Sequence, residues 1–252
     1  MTRLRALITN DDGFDSEGLA VLARAAVAAG LEVVVAAPHA EASGTGAGLT
    51  VLTEEGRSVI ERAHRPGLPD VPCYTVSAHP AFITLAALDG DFGPPPDLVL
   101  SGVNRGMNLG KPVIHSGTVG AALTAGTNGV RGLAISVEAD EIAPPRWPDP
   151  GGIPAQAIEL LLRTPAGTVL NVNIPDLPPD ALKPLSTATL ATAGAVQSLL
   201  SHERGGDEVV TTEIGEQAEP GTDVYLVNRQ VPTVTALRPV AEDTALDLTG
   251  YL

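Results

Sequence analysis

Two apolar strands that flank a helix near the start of the chain limit the possible folds most. Segment 4–9 is apolar, 16–30 carries apolar residues at helical spacing, and 31–37 is again a nearly continuous apolar run. Strands that are apolar along their whole length belong to parallel sheets covered on both faces. The order strand, helix, strand therefore predicts an α/β fold with a doubly wound, mostly parallel, Rossmann-like sheet.

The same alternation continues to about residue 178, and the pattern changes beyond it. We therefore divide the chain into an α/β core, 1–178, and a β-rich C-terminal extension, 179–252. Within these parts we predict irregular or antiparallel β structure over 50–76, helices over 80–88, 119–127 and 153–163, strands over 97–100, 133–137, 169–174, 209–214 and 224–227, and loops over 42–48, 101–104 and 143–152.

Charge and cysteine content exclude several classes of partner. The chain of 252 residues has a net charge of −15, which repels duplex nucleic acid. Its one cysteine, Cys73, excludes a cysteine zinc cluster and fits a reducing compartment. We find neither a secretory apolar region nor a stretch long enough to span a bilayer. We expect a cytoplasmic protein without a membrane partner.

Polar clusters follow the predicted strands, where ligands of open parallel sheets bind. Asp11 and Asp12 offer carboxylates, Ser43 offers a hydroxyl and Asn104 offers an amide carbonyl. This all-oxygen set suits Mg²⁺, Mn²⁺ or Ca²⁺ rather than zinc. Taken alone, Asp-Asp-Gly also fits a turn that places charge at a helix N-terminus. The convergence of three clusters at one sheet edge favours a metal site.

A further cluster, 116–118, precedes a helix of small residues. Its free backbone N–H groups and two hydroxyls fit a phosphate, although a plain N-cap for close packing explains the same residues. No Walker motif or dinucleotide fingerprint is present, so we do not expect a nucleoside triphosphate or dinucleotide cofactor. The candidate catalytic residues are Asp11, Asp12, Asn104 and Ser116, and the candidate substrate-binding residues are Asn10, Gly117, Thr118, Arg105, His115 and His39.

Five sequence blocks occur together in a recognisable order. They are Thr9-Asn10-Asp11-Asp12-Gly13, Ala37-Pro38 leading to Ser43-Gly44, Ser101 to Gly110, Ser116 to Ala122, and Leu170 to Pro175. Here the sequence resembles the SurE family, the survival-protein-E nucleotidases. The resemblance implies a metal-dependent phosphatase acting on nucleoside monophosphates, with one divalent cation per subunit, Mg²⁺ or Mn²⁺. It also implies metal ligands at Asp11, Asp12, Ser43 and Asn104, and a C-terminal extension exchanged within a homodimer or homotetramer.

The chain departs from this family around the substrate. An Asp-Arg-Asn-Arg stretch is replaced by His39-Ala40-Glu41-Ala42, and a Gly-Thr-Pro-Ala-Asp-Cys block by residues 77–82. A tyrosine is replaced by His115 and a glutamate by Thr124. We therefore predict an intact metal site with an altered substrate shell, hence a specialised monophosphate substrate or weak activity.

Two other functions fit the same residues. One is a different α/β enzyme that binds a diphosphate through the metal, and the other is a non-catalytic module that keeps the metal and binds a nucleotide or phosphate. Release of phosphate from a panel of monoesters with Mg²⁺ or Mn²⁺ separates the phosphatase from both.

Overall fold

A nine-stranded sheet forms the centre of the part of the chain that the computed structural model describes, residues 3–51, 59–139, 144–149, 151–192, 218–246 and 249. Its strands are β1 (Arg5–Thr9), β2 (Glu32–Pro38), β3 (Ile60–Ala63), β4 (Cys73–Val76), β5 (Leu98–Arg105), β6 (Arg131–Val137), β7 (Val169–Ile174), β8 (Ser186–Thr187) and β9 (Thr233–Leu237). They lie in the order β3-β4-β2-β1-β5-β6-β7-β9-β8.

Helices cover both faces of this sheet. They are α1 (Glu17–Ala28), α2 (Pro80–Asp89), α3 (Gly117–Thr127), α4 (Ile153–Leu162) and the short α5 (Asp223–Val227), with a 3₁₀ turn over Lys111–His115. Alternate side chains of β1 point to opposite faces. Ile8 packs in one apolar cluster with residues of α1 and α4, whereas Leu7 packs in another with residues of α2. The result is a three-layer α/β arrangement.

The direction of chain crossover reverses between β1 and β5. From β1 the parallel strands continue through β2 to β4 on one side, and through β5 and β6 to β7 on the other. Of the strands described, β3 and β9 run antiparallel to their neighbours β4 and β7. The predicted fold class, a doubly wound and mostly parallel sheet, is confirmed. Its switch point, where such sheets bind ligands, lies between β1 and β5.

The predicted loop over 101–104 is wrong, because β5 continues through these residues to Arg105. Pairing with β6 shifts register between Ser101 and Asn104. Gly102 has a φ of +126°, and a side chain there would collide with the carbonyl of Ile135 on β6. Glycine therefore lets this part of β5 pass close to β6 and continue pairing, despite its polar sequence.

The predicted strand over 224–227 is also wrong, since these residues lie in α5. The Thr222 hydroxyl caps the helix by accepting the N–H of Tyr225 at 3.3 Å. Strand β9 pairs with β7 of the same chain, so this strand needs no partner subunit. Exchange between subunits stays a prediction for the rest of the extension, and the predicted strand over 209–214 lies outside the described residues.

The other predicted elements match the structure to within a few residues. The antiparallel pair of β3 and β4 lies inside the 50–76 segment, of which 52–58 is not described. Ser16 is the N-cap residue of α1, although its side chain makes no capping hydrogen bond. In the described part of the chain, every helix is too short or too polar to cross a membrane.

Candidate functional site

The candidate site lies at the switch point of the sheet, just beyond the ends of β1 and β5. Asp11 and Asp12 follow β1, and the backbone N–H of Arg105 at the end of β5 donates to Asp12 Oδ2 at 3.0 Å. The backbone N–H of Ala42 donates to the Asp11 carbonyl at 2.7 Å, which brings in the loop after β2. Three segments that are distant in sequence thus meet around the two aspartates.

The N-terminus of α3 contributes a fourth segment. The Thr118 hydroxyl donates a hydrogen bond to Asp11 Oδ1. A Cβ atom on Gly117 would lie 2.8 Å from Asp11 Oδ2 and 3.0 Å from the hydroxyl of Thr45. Only glycine leaves room for this packing, so the absence of a side chain at 117 brings the helix N-terminus directly against the Asp11 carboxylate.

The surroundings of both aspartates disfavour the negatively charged form of their carboxyl groups. Burial raises the pKa of Asp11, while the hydrogen bond from Thr118 opposes that rise. Burial and, to a smaller extent, the charge of Asp11 raise the pKa of Asp12 to about 7. The Arg105 N–H and guanidinium lower the pKa of Asp12 without compensating fully. Two neighbouring carboxylates with too few donors form a site that a cation would stabilise.

The donor atoms around the aspartates fit a hard cation. Within the described residues no group of three His, Cys, Asp or Glu side chains lies close enough to hold a metal, so an ion here depends on other oxygens. Asn104 Nδ2 donates to the Gly106 carbonyl at 2.7 Å, which leaves the amide oxygen to coordinate. The buried Asn10 Oδ1 has no hydrogen-bond partner. The Ser43 hydroxyl donates to Glu41 at 2.7 Å, which leaves its lone pairs available. Oxygen donors of this kind are ligands of Mg²⁺, Mn²⁺ and Ca²⁺.

The segment 116–118 is both a helix cap and an opening for an anion. The buried Ser116 hydroxyl accepts the Val119 N–H at 3.1 Å, which is the capping role considered from the sequence. The N–H groups of Gly117 and Thr118 belong to the first turn of α3 and have no acceptor within the helix. Free N–H groups at a helix N-terminus, together with the helix dipole, form the kind of site that could hold an anion next to Asp11.

The two histidines predicted to bind substrate, His39 and His115, have fewer contacts that link them to the site. Both side chains are exposed. The His115 carbonyl accepts the N–H of Gly46 at 3.0 Å, so its backbone holds the loop that contains Ser43. The His39 N–H donates to the Val76 carbonyl on β4 at 3.0 Å. The structure thus fixes the backbone of each histidine, with the side chains facing solvent.

The sequence did not reveal several residues that hold the loops around the site. The Arg65 guanidinium is buried, donates to the carbonyls of Phe14 and Ser16, and lies 5.6 Å from the centre of the Phe14 ring. It therefore holds the loop that follows Asp12. Nothing in the irregular 50–76 segment marked this arginine as different from a solvated one.

A buried amide network holds the chain after β5. The backbone carbonyl of Asn108 accepts hydrogen bonds from the side-chain amides of Asn171 and Asn173, both at 2.9 Å. The side-chain amide of Asn108 donates to the Ser136 hydroxyl at 2.8 Å. The carboxylate of Asp223 accepts the N–H of Gly110 at 2.7 Å. Two asparagines of β7, together with Asp223, therefore position the loop between β5 and α3.

Fold and site together place the chain among doubly wound α/β proteins with an oxygen-rich acidic site at the switch point, facing a helix N-terminus. A sequence model of the family described as "Survival protein SurE" matches residues 6–196. The chain belongs to the SurE family, which confirms the resemblance stated from the sequence.

Individual relatives match nearly the whole chain. A protein of Synechococcus sp. (strain WH7803) called "5'-nucleotidase SurE" is 34% identical over 255 residues, covering 95% of this chain and 92% of that protein. One of the same name from Aeromonas hydrophila is 32% identical over 254 residues, covering 98% and 94%. The crystal structure of the SurE protein from Aquifex aeolicus is similar with a TM-score of 0.70 and 26% identity, covering 98% of each chain.

Proposed function

We propose that this protein hydrolyses nucleoside monophosphates to nucleosides and phosphate with the help of a divalent cation. Its class, a phosphoric monoester hydrolase, follows from its family and from relatives called 5'-nucleotidases. The observation that carries the proposal is the pair of neighbouring carboxylates, the buried Asp11 and the half-buried Asp12, at the switch point, with Asp11 against the N-terminus of α3. That arrangement supports a cation site next to an anion site, the combination that metal-assisted phosphate hydrolysis uses.

The residues that would hold the cation are Asp11, Asp12, Ser43 and Asn104, and Asn10 contributes an unpaired buried oxygen beside them. A bound divalent cation supplies charge that offsets the phosphate oxygens and lowers the pKa of water. Thr118 stabilises the ionised form of Asp11 through its hydrogen bond. The first N–H groups of α3 donate to the phosphate oxygens, and the guanidinium of Arg105 adds positive charge.

The leaving nucleoside needs a proton, and the two histidines are the candidates to donate it. His39 and His115 are exposed at the ends of segments that frame the site, and histidine is the side chain that most often donates a proton in general acid catalysis. The Asp12 carboxyl group, with a pKa raised to about 7, is a further proton carrier whenever no cation is bound. We assign the transfer to His39 or His115 rather than to Asp12.

A monophosphate is the substrate that the charge around the site favours. The stretch after β2 carries alanines at 40 and 42 and an acid at Glu41, so it supplies no positive charge to a second or third phosphate. The whole chain carries a net charge of −15. Each added phosphate brings negative charge that this surface repels, so we expect little activity on triphosphates or polyphosphate.

We further propose a homodimer or homotetramer in which part of the extension contacts another subunit. The sheet ends in a strand of two residues, β8, on one side and in the short β3 on the other. Among the described residues these edge strands leave backbone N–H and C=O groups unpaired, and a second copy of the chain can pair with them. Light scattering at micromolar concentration should show a dimer or tetramer, and a monomer would contradict the proposal.

The catalytic proposal is tested by phosphate release from a panel of monophosphates with Mg²⁺ or Mn²⁺, before and after EDTA treatment. We expect activity on nucleoside monophosphates that EDTA abolishes and added cation restores. Asp11→Asn should remove both cation binding, measured by calorimetry, and activity. Asp15→Asn is the matched control, because Asp15 lies in the same loop with its side chain fully exposed. Nucleotide binding without phosphate release would support the non-catalytic alternative, and full activity in EDTA would refute the metal mechanism.

A further inference from the structure

A cavity of about 360 Å³ opens directly beside the candidate cation site. One wall is Asp12, whose carboxylate accepts the N–H of Arg105, and the Arg105 side chain also lines the cavity. The lining also includes Pro145 and Trp147. Its volume falls within the range of about 300–1,000 Å³ that small-molecule sites occupy. The cavity is therefore large enough for an organic group attached to a phosphate bound at the neighbouring cation site.

Trp147 is held in place by the start of α1. A Cβ atom on Gly18 would lie 2.7 Å from Cζ3 of Trp147, so the benzene ring of the indole packs on the bare backbone of the first helical turn. Trp147 is the single tryptophan of a chain in which aromatic residues make up only 3%. A large aromatic surface in this loop is thus fixed in a wall of the cavity.

The charged groups that line the cavity determine which chemical groups can bind next to the indole ring. Asp12, Glu17 and Glu41 contribute carboxylates, and Arg105 contributes a guanidinium. Glu17 is paired with Arg24 at 2.6 Å, and Glu41 accepts the Ser43 hydroxyl at 2.7 Å, yet each retains oxygens that accept further hydrogen bonds. The cavity therefore disfavours a second phosphate and favours a neutral group that carries hydroxyl or amino donors.

We propose that this cavity binds the nucleoside part of the substrate, with the base stacked on Trp147 and donors of the sugar or base bonded to Glu17 and Glu41. The assignment rests on the proposed phosphatase function and adds a specificity-determining residue to it. Base stacking on an aromatic side chain changes affinity by about tenfold or more. Trp147 thus favours nucleotides over monophosphates whose alcohol has no aromatic ring.

The single tryptophan provides a direct binding assay that needs no turnover. We expect adenosine, in the presence of Mg²⁺, to change the indole emission of the wild-type protein in a saturable way, whereas inorganic phosphate and glycerol do not. Trp147 also lines a second cavity of about 340 Å³ that includes Gln156. The Gln156→Ala variant should keep the adenosine response, and its loss there would overturn the assignment to the cavity beside Asp12.

Steady-state kinetics provides a second test of the proposal. Trp147→Leu should lower kcat/KM for AMP about tenfold or more, mainly through KM, and leave kcat/KM for glycerol 2-phosphate within about twofold. Trp147→Phe, which keeps an aromatic ring, should recover most of the activity on AMP. An equal loss on both substrates, or no emission change with adenosine, would overturn the proposal. If the wild-type protein hydrolyses neither substrate, the phosphatase function fails, and the adenosine response alone decides whether the cavity binds a nucleoside.

Discussion

Replacing Asp12 with asparagine should stabilise the protein in the absence of metal, although it removes a candidate metal ligand. Asp12 is largely buried next to Asp11 and accepts one backbone N–H, that of Arg105. Asparagine has nearly the same shape, and its amide oxygen can accept that same N–H. The substitution therefore removes a poorly compensated charge and keeps the hydrogen bond.

The size of the effect follows from the pKa of Asp12. The folded state raises this pKa from 3.8 to about 7, and one pKa unit corresponds to about 1.4 kcal/mol, so ionised Asp12 disfavours folding by at most about 4 kcal/mol. Because solvent in the adjoining cavity screens part of the charge, we expect about 2 kcal/mol. The folded state holds the proton more tightly than the unfolded state. The contribution of Asp12 to stability is therefore fully present below about pH 4 and is lost as the pH rises through 7.

The assay is urea unfolding in EDTA at about pH 5 and about pH 8. Asp12→Asn should raise the free energy of unfolding at both values, and more at the higher pH. Added Mg²⁺ should stabilise the wild-type protein but not the variant. A variant no more stable than the wild type, or a gain that does not grow with pH, would refute the reasoning.

Asp223→Asn is the matched control, because it makes the same substitution at a buried aspartate in a different environment. The Asp223 carboxylate accepts the N–H groups of Gly110, Ala191 and Val224 at 2.7, 2.9 and 2.8 Å, and both of its oxygens are used. In either orientation, the NH₂ group of an asparagine would face a donor. We therefore expect this variant to lose about 2–3 kcal/mol, the opposite sign to Asp12→Asn.

Three further variants, one of them a double substitution, test the site. Gly117→Ala puts a methyl group 2.8 Å from Asp11 Oδ2 and should lower kcat/KM about tenfold or more with an unchanged circular dichroism spectrum. Thr118→Val removes the donor to Asp11, so calorimetry should show cation affinity about tenfold weaker, recovering as the pH rises. Arginines in place of Ala40 and Ala42 should raise kcat/KM for common nucleoside monophosphates about threefold or more at low salt; unchanged rates would show that this stretch does not face the substrate.

An element can be predicted from the sequence when its own residues carry the pattern, and it is missed when contacts with distant residues determine its structure. Apart from Arg5, Thr9 and Glu32 at their ends, the strands β1 and β2 are apolar because helices cover both faces of the sheet, and this pattern is visible in the sequence. The run 224–227 is too short to show a period, so its apolar residues fitted a strand as well as the helix that they form. In the run 101–104, polar and glycine residues indicate a loop, and only the pairing with β6 makes it a strand.

The same reasoning separates the predictable part of the site from the rest. Asp11, Asp12 and Asn104 follow or end parallel strands, and sheet geometry alone brings such residues to one edge. Trp147 lies in a loop rich in proline and reaches the cavity because Gly18, far away in sequence, leaves space for its ring. A residue of this kind is placed by a tertiary contact that no local pattern encodes. The candidate cation ligands at the strand ends can therefore be predicted from the sequence, whereas the loop residues that we propose to select the substrate can be identified only in the folded chain.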